Sequence, residues 1–254
     1  MKQGDFTKLA KDYINRPGYS QAVLSALQGY TGTNRYGAVV ADVGAGTGKL
    51  TEMLIAAGLN GFAVEPNAAM REEGSRLLSH HGQFTWHEGS GENTGLADNS
   101  VDWLLMASSF HWTDQPNALK EFHRVLRPGG FFTCLWNPRD LERSELQMRI
   151  DGMIREKVPN LKRVSSGAKK YTDNLEETLL SGGLFKDVLF TSAPHEVEMT
   201  HERYMGAWRS VNDIQAQVGP EGFEAIMNEI ESMIQGSEYV TVPYQTRSWT
   251  VKAI

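Results

Sequence analysis

The chain has 254 residues, of which 40% are hydrophobic and 22% charged, and its formal net charge at pH 7 is −6. This composition is typical of a soluble globular protein, and the negative charge argues against nucleic acid or an anionic membrane as the default partner. The single cysteine, Cys134, excludes an intramolecular disulfide. The N-terminus MKQGDFTKLAKDY lacks an apolar signal region, so a cytoplasmic protein is expected.

Short apolar runs alternate with helix-forming segments in the first half of the chain. The apolar runs, which predict buried strands, are 38–43, 61–65, 84–88, 101–108 and 130–136. Segments 49–58 and 118–126 have the apolar spacing of helices, and RPGG at 127–130 predicts a stop before the last of these strands. The alternation predicts right-handed βαβ units and a mainly parallel sheet.

After Trp136, apolar runs and helix-forming segments no longer alternate regularly. Helices are predicted at 141–158, 172–185, 201–214 and 223–234, a strand at 186–193, and a final extended segment at 239–253 with a bulge at Pro243. A basic loop, KRVSSGAKK, occupies 162–170. Without repeats or low-complexity tracts, these segments favour a single α/β domain with helical insertions.

A glycine-rich loop follows the first predicted strand, in the stretch VVADVGAGTGKL (39–50). A Walker A loop is excluded because Val43 and Leu50 stand where that motif needs Gly and Ser or Thr. The dinucleotide loop is disfavoured because the last glycine comes one residue too early, and because Asp42 would repel a pyrophosphate. The acid would instead pair with a ligand ammonium group. A ligand-free turn between strand and helix remains an alternative.

The order Asp42-x-Gly44-x-Gly46-x-Gly48 resembles motif I of the class I S-adenosylmethionine-dependent methyltransferases. Glu65 resembles the second motif of that family, GSGE (89–92) the segment after its third strand, and SVDWLLMASSFHW (100–112) its fourth strand and loop. EFHRVLRPGGFF (121–132) resembles the helix, turn and fifth strand, and RPGY (16–19) the lead-in segment of the small-molecule branch. The resemblance is specific over 1–136, weaker over 170–254 and absent over 137–170.

The resemblance implies one methyltransferase domain over 1–254, with a Rossmann-like, doubly wound, seven-stranded, mostly parallel sheet whose last strand is antiparallel. The core is expected at about 36–136, 171–193 and 239–254. Helical lid elements, which would cover the substrate, are expected at about 1–30, 137–170 and 195–237.

The resemblance also implies that S-adenosyl-L-methionine is the cofactor, bound by residues at the predicted carboxyl ends of the strands and in the lead-in segment. These candidates are Tyr13, Tyr19, Asp42, Gly44, Ala45, Gly46, Thr47, Glu65, Pro66, Met70, Ser90, Gly91, Glu92, Ala107 and Ser108. Glu65 would accept hydrogen bonds from the two ribose hydroxyls, and a tyrosine ring face would stabilise the sulfonium charge.

His111, just after the fourth strand, is the candidate general base, with packing against Trp112 as the alternative. Arg139 and Arg209 are candidates to clamp an acidic acceptor, with ordinary surface arginines as the alternative, and Trp112 is a candidate wall of the pocket. No metal is expected, because His87 and Glu88 have no further ligands at a known spacing.

The tetrad of methyltransferases that act on nucleobase or amide nitrogen is absent, since residues 107–110 are ASSF. The sequence therefore predicts methyl transfer to a small molecule at oxygen, either a hydroxyl or a carboxylate, as in the trans-aconitate type that ASSFHW and GAWRS (206–210) resemble. A nitrogen methyltransferase of a small molecule or RNA, a non-catalytic scaffold of the same fold and a nicotinamide-dependent oxidoreductase remain alternatives.

Overall fold

A computed structural model of the protein describes residues 6–163 and 172–254, so most of the predicted basic loop at 162–170 lies outside the described residues. The strands are β1 (Val39–Val43), β2 (Asn60–Val64), β3 (Phe84–His87), β4 (Val101–Ala107), β5 (Leu126–Trp136), β6 (Phe185–Thr200) and β7 (Tyr239–Ala253). The helices are α1 (Ala10–Tyr13), α2 (Gln21–Thr31), α3 (Lys49–Ala56), α4 (Ala68–Leu78), α5 (Gln115–Val125), α6 (Glu145–Lys157), α7 (Leu175–Leu180), α8 (His201–Arg209) and α9 (Asn212–Ile234).

The strands form one seven-stranded sheet in the order β3-β2-β1-β4-β5-β7-β6. β1 to β5 pair in parallel, and β7 runs antiparallel to both β5 and β6. The predicted fold is therefore confirmed. The strand order reverses between β1 and β4, and in open α/β sheets this reversal opens a crevice at the carboxyl ends of the strands.

Helices cover both faces of the sheet, each over its own core. Phe122 of α5 and Phe132 of β5 are fully buried on one face, and Leu27 of α2 and Trp103 of β4 are fully buried on the other. Cys134 is also fully buried, as expected for a core residue, and burial raises the pKa of its thiol.

A third core lies at the far end of the β6–β7 hairpin. It joins α6, α8 and α9 to the strand ends through buried residues such as Ile154, Tyr204, Ile230 and Val242. The helices that cover the crevice therefore have a hydrophobic core distinct from that of the sheet. Among the described helices, none combines the length and the apolar character needed to cross a bilayer.

Several boundaries differ from the sequence prediction. β5 begins at Leu126, the last residue of the helix predicted at 118–126, and includes the predicted stop at 127–130, because Leu126 pairs with Val101 before the register shifts. The bulge of the β6–β7 hairpin lies between Lys186 and Leu189, where Asp187 has a φ of 57°, whereas pairing continues regularly through Pro243. The predicted bulge at Pro243 is thus wrong.

The last two helices also differ from the bounds predicted from the sequence. α8 ends at Arg209 and α9 begins at Asn212, so the predicted helix at 201–214 is broken. α9 contains a kink at Gly219, whose φ of 71° is not helical and which precedes Pro220. β6 extends to Thr200, so residues 195–200, expected as the start of a lid, continue the sheet.

Candidate active site

The glycine loop between β1 and α3 can be built only from glycine at three positions. Gly44, Gly46 and Gly48 have φ values of 71°, 58° and 86°, a region that side chains with a Cβ rarely adopt. A Cβ on Gly44 would also lie 2.7 Å from the Ser109 Oγ, so the loops after β1 and β4 interlock there. Because it follows β1, the glycine loop lies at the crevice that opens where the strand order reverses.

Asp42, the last but one residue of β1, is a fully buried acid below this loop. Its Oδ2 accepts a hydrogen bond of 2.6 Å from the Thr51 hydroxyl, and its Oδ1 has no partner among the described residues. Burial raises the pKa of the carboxyl to about 7, and the bond from Thr51 only partly opposes this. Asp42 thus carries a buried acceptor atom that a cationic group would satisfy.

Glu65 follows β2 and closes the loop from the side. Its Oε2 accepts a hydrogen bond of 2.8 Å from the Gly46 amide, and its Oε1 accepts one of 2.8 Å from the Asn67 amide. Burial raises the pKa of this carboxyl, while the two amides oppose the change. Because each carboxylate oxygen can accept two hydrogen bonds, both keep a lone pair for a hydroxyl.

The N-terminal segment covers the glycine loop. A Cβ on Gly46 would occupy the space between the Tyr13 ring and the Met70 methyl, at 3.8 and 3.6 Å from them. The Tyr19 hydroxyl lies 3.2 Å from the Ser108 Oγ, and burial raises the pKa of Tyr19. Ser108 itself has a φ of 57°, a strained conformation that concentrates at functional sites.

The turn after β3 uses its predicted site residues for contacts within the protein. The Ser90 Oγ accepts hydrogen bonds of 3.3 Å from the amides of Glu92 and Asn93, and the Glu92 Oε1 accepts one of 2.6 Å from the Asp114 amide. Gly91 packs against Thr113 and Ala118. Of the remaining candidates, Ala45 and Thr47 are buried, Ala107 is partly buried and Pro66 is exposed.

A cavity of about 510 Å³ adjoins the glycine loop beneath α6, α8 and α9. Six of the predicted site residues line it, namely Tyr13, Tyr19, Ser108, His111, Trp112 and Arg139. Arg209 does not, because it lies exposed at the end of α8 while its neighbour Trp208 faces the cavity. Arg209 is therefore not positioned to bind, together with Arg139, an acceptor in this cavity.

His111 is held by a neighbouring indole. Its Nδ1 accepts a hydrogen bond of 3.2 Å from the Trp136 Nε1, and its ring lies 4.9 Å from that of Trp112. Since Nδ1 is the acceptor, a neutral His111 carries its proton on Nε2. This arrangement favours a hydrogen-bond donor at His111 over the expected general base.

Arg139 is stacked on an aromatic wall of the cavity. Its guanidinium carbon lies 3.9 Å from the centroid of the Trp208 ring, a geometry that leaves the N–H groups at its edge available to a ligand. Arg16, which also lines the cavity, donates hydrogen bonds to the side chain and carbonyl of Ser210. Sequence analysis missed Arg16 as a site residue, because only the fold brings residue 16 to the end of α8.

The arginines that line the cavity differ in their charge partners. Arg155 is paired with Asp151 at 2.5 Å, and Arg163 with Asp213 at 3.0 Å. Among residues 6–163 and 172–254, no carboxylate is within ion-pairing distance of Arg16 or Arg139. The cavity therefore has uncompensated positive charge suited to an anion.

Comparison with known families matches residues 41–134 to the model described as a methyltransferase domain. This region runs from β1 to β5 and contains the glycine loop, Glu65 and His111. The predicted resemblance to methyltransferases is thereby confirmed for this part of the chain.

Curated relatives match a part of the chain of similar length. An uncharacterized methyltransferase of Mycobacterium tuberculosis is 45% identical over 101 residues, which cover 40% of each protein. A ubiquinone/menaquinone biosynthesis C-methyltransferase of Rubrivivax gelatinosus is 37% identical over 97 residues, or 38% of each protein. A malonyl-[acyl-carrier protein] O-methyltransferase of Pectobacterium atrosepticum is 34% identical over 122 residues, or 47% of each. The chain thus spans less than half the length of these relatives.

Solved structures resemble the whole chain in fold. A protein of Anaeromyxobacter dehalogenans described as a type II methyltransferase superposes with a TM-score of 0.63 at 21% identity, covering 92% of this chain and 97% of its own. Phosphoethanolamine N-methyltransferase 2 of Haemonchus contortus, in complex with phosphomonomethylethanolamine and S-adenosylhomocysteine, gives a TM-score of 0.56 at 15% identity, covering 98% and 58%.

Proposed function

We propose that this chain is an S-adenosylmethionine-dependent methyltransferase that methylates a carboxylate oxygen of a small acid. One observation carries the choice of acceptor. Arg139 and Arg16 face a cavity of about 510 Å³ next to the glycine loop, and neither has a carboxylate partner among the described residues.

The residues around the glycine loop fit this cofactor. The Oδ1 of Asp42, buried without a partner among the described residues, suits an ammonium group, and the free lone pairs of Glu65 suit two ribose hydroxyls. The space between Tyr13 and Met70 is open because Gly46 has no Cβ. When bound, the cofactor supplies a methyl carbon on a sulfonium, which a carboxylate oxygen attacks, the electron pair of the broken bond staying on sulfur.

The relatives do not define the acceptor. A C-methyltransferase and an O-methyltransferase both resemble part of this chain. A structural neighbour with the same fold is an N-methyltransferase. The cavity is therefore the better guide to the acceptor, and the arginines that line it favour an acid over an amine.

A carboxylate acceptor is also consistent with the hydrogen bonding of the His111 ring. A carboxylate is ionised at neutral pH, so it loses no proton when it is methylated and needs no general base. With Nδ1 bonded to Trp136, His111 would donate from Nε2 and orient the acceptor. Rate enhancement would then come from alignment of the acceptor and exclusion of water by α6, α8 and α9. The trans-aconitate type is the branch that this chemistry fits.

The Asp42 carboxyl should couple cofactor affinity to pH. Its pKa of about 7 in the free protein means that it must be ionised to pair with an ammonium group, so affinity should fall as pH drops below 7. Calorimetry with S-adenosylhomocysteine should show roughly tenfold weaker binding at pH 6 than at pH 8.

Asp42→Asn should bind weakly at both pH values. Because the buried charge is unfavourable in the free fold, this variant should also unfold at a higher temperature than the wild type at pH 8. Since a carboxyl with a raised pKa stabilises the fold only while protonated, the gain should shrink as pH falls from 7 towards 4. An unchanged pH dependence of affinity in the variant would contradict the assignment.

The activity is tested with S-adenosylmethionine labelled in its methyl group and a panel of small carboxylic acids, alcohols and amines. Methyl esters release volatile methanol in alkali, whereas methyl groups on nitrogen, carbon or ether oxygen stay attached. Alkali-labile label on an acid would support the proposal. Label that resists alkali would exclude carboxyl methylation, and cofactor binding without any transfer would favour a non-catalytic protein. Tight NADH binding would instead indicate an oxidoreductase.

A further inference from the structure

The deep wall of the acceptor cavity contains two buried polar side chains that the proposed reaction does not use. Gln147 of α6 and Trp208 of α8 both line the cavity, and they are 1% and 3% exposed. Among the described residues, the Gln147 Oε1 and the Trp208 Nε1 have no hydrogen-bond partner. Buried polar groups without partners are rare in folded proteins and cost free energy that a ligand can recover.

The two groups belong to one cluster with a fixed orientation. The Gln147 amide nitrogen donates a hydrogen bond of 2.8 Å to the Tyr204 hydroxyl, which leaves Oε1 as the acceptor. The Tyr204 and Trp208 rings meet edge to face, with centroids 6.5 Å apart. The cluster therefore contains one unpaired acceptor and one unpaired donor on residues that line the cavity.

The chemistry of these atoms selects the ligand group. The Gln147 Oε1 requires a donor, and the Trp208 Nε1 requires an acceptor. A carboxylate can only accept and an ammonium can only donate, whereas an alcohol hydroxyl does both. The same Trp208 holds Arg139 on its ring face at 3.9 Å, an arrangement suited to one ligand that carries both a hydroxyl and a carboxylate.

We propose that Gln147 and Trp208 form a hydroxyl-binding subsite, so that the acceptor is a small hydroxy acid. This inference rests on the proposed acid acceptor, although the subsite can be tested separately from it. An unpaired acceptor and donor would strongly disfavour a ligand that lacks the hydroxyl, since both groups would remain buried and unsatisfied.

The test uses matched probes that differ by one hydroxyl, namely malate and succinate, lactate and propionate, and the methyl esters of lactate and propionate. Their binding to the protein saturated with S-adenosylhomocysteine is measured by calorimetry up to 10 mM. In the wild type we expect the hydroxylated member of the acid pairs to bind on the order of 10–100-fold more tightly.

Gln147→Leu removes the acceptor at nearly constant volume, and Trp208→Phe removes the donor while keeping a ring face for Arg139. Each variant should reduce the preference to less than about threefold. Gln21→Leu, at an exposed position of α2, is the control and should keep it. Because the wild-type preference is measured first, failure of one variant to fold leaves the test intact.

The outcomes separate the subsite from the acid acceptor. A hydroxyl preference among the esters alone, lost in Gln147→Leu, would keep the subsite and overturn the acid acceptor. Equal binding within every pair would overturn the subsite while leaving an acid acceptor standing. A preference that survives in both variants, or absence of binding by every probe, would also overturn the subsite.

Discussion

Glu65→Ala should weaken binding of S-adenosylhomocysteine by about 1–3 kcal/mol, or roughly 5- to 150-fold, because two ribose hydroxyls lose a charged acceptor. The structure adds a second cause. The same carboxylate accepts the amides of Gly46 and Asn67, so its removal also leaves the glycine loop unsupported. Calorimetry measures the loss directly.

Glu72→Ala is the matched control, since Glu72 is exposed on α4, seven residues further along the chain. It should bind as tightly as the wild type. Glu65→Gln, which keeps an amide oxygen as acceptor, should bind with intermediate affinity. Wild-type affinity in Glu65→Ala would mean that the ribose does not lie at the end of β2.

Arg139→Met should lower kcat/KM for the acid acceptor by roughly 100-fold or more, with little change in cofactor affinity, because a buried anion loses its paired hydrogen bonds. Arg139→Lys should recover only part of the loss, since an ammonium keeps the charge but lacks the planar edge of a guanidinium stacked on Trp208. Initial rates measured with the acid found by the alkali-labile assay test both variants.

Arg209→Met provides the control for charge and side-chain length. The residue was an equally good candidate from sequence, but it is exposed and lies outside the cavity. Its variant should keep wild-type kinetics. Equal losses in Arg139→Met and Arg209→Met would show that neither arginine acts by direct contact with the acceptor.

The glycine loop and the sheet were predictable because their signals are local. Three glycines at alternate positions after a buried strand permit the positive φ values found at Gly44, Gly46 and Gly48, which other residues rarely adopt. The alternation of strands and helices likewise predicts a parallel sheet, and the final antiparallel strand followed from the family resemblance. Boundaries were harder, since the extended β5 and β6 depend on partners far along the chain.

The acceptor cavity was less predictable because its residues meet only through tertiary structure. Arg16 and Gln147 are far apart in sequence; the RPGY motif marked the lead-in segment without giving Arg16 a contact, and no motif marks Gln147. The main polar contact of His111 was missed for a similar reason, since the indole that donates to its Nδ1 comes from Trp136 at the end of β5. Sequence proximity had suggested Trp112 as its main neighbour.

The β6–β7 hairpin has a consequence for how such a protein diversifies. Its strands of 16 and 15 residues run from the sheet into the core beneath α8 and α9 without a change of register beyond Leu189. α8 and α9 are thus an insert between two continuous strands, and they share a hydrophobic core with α6. Such an insert can be exchanged while the glycine loop is inherited unchanged. Because Arg139 and Gln147 lie outside it, a chimera that replaces residues 201–238 should alter only the part of the acceptor preference that depends on Trp208 and its neighbours in α8 and α9.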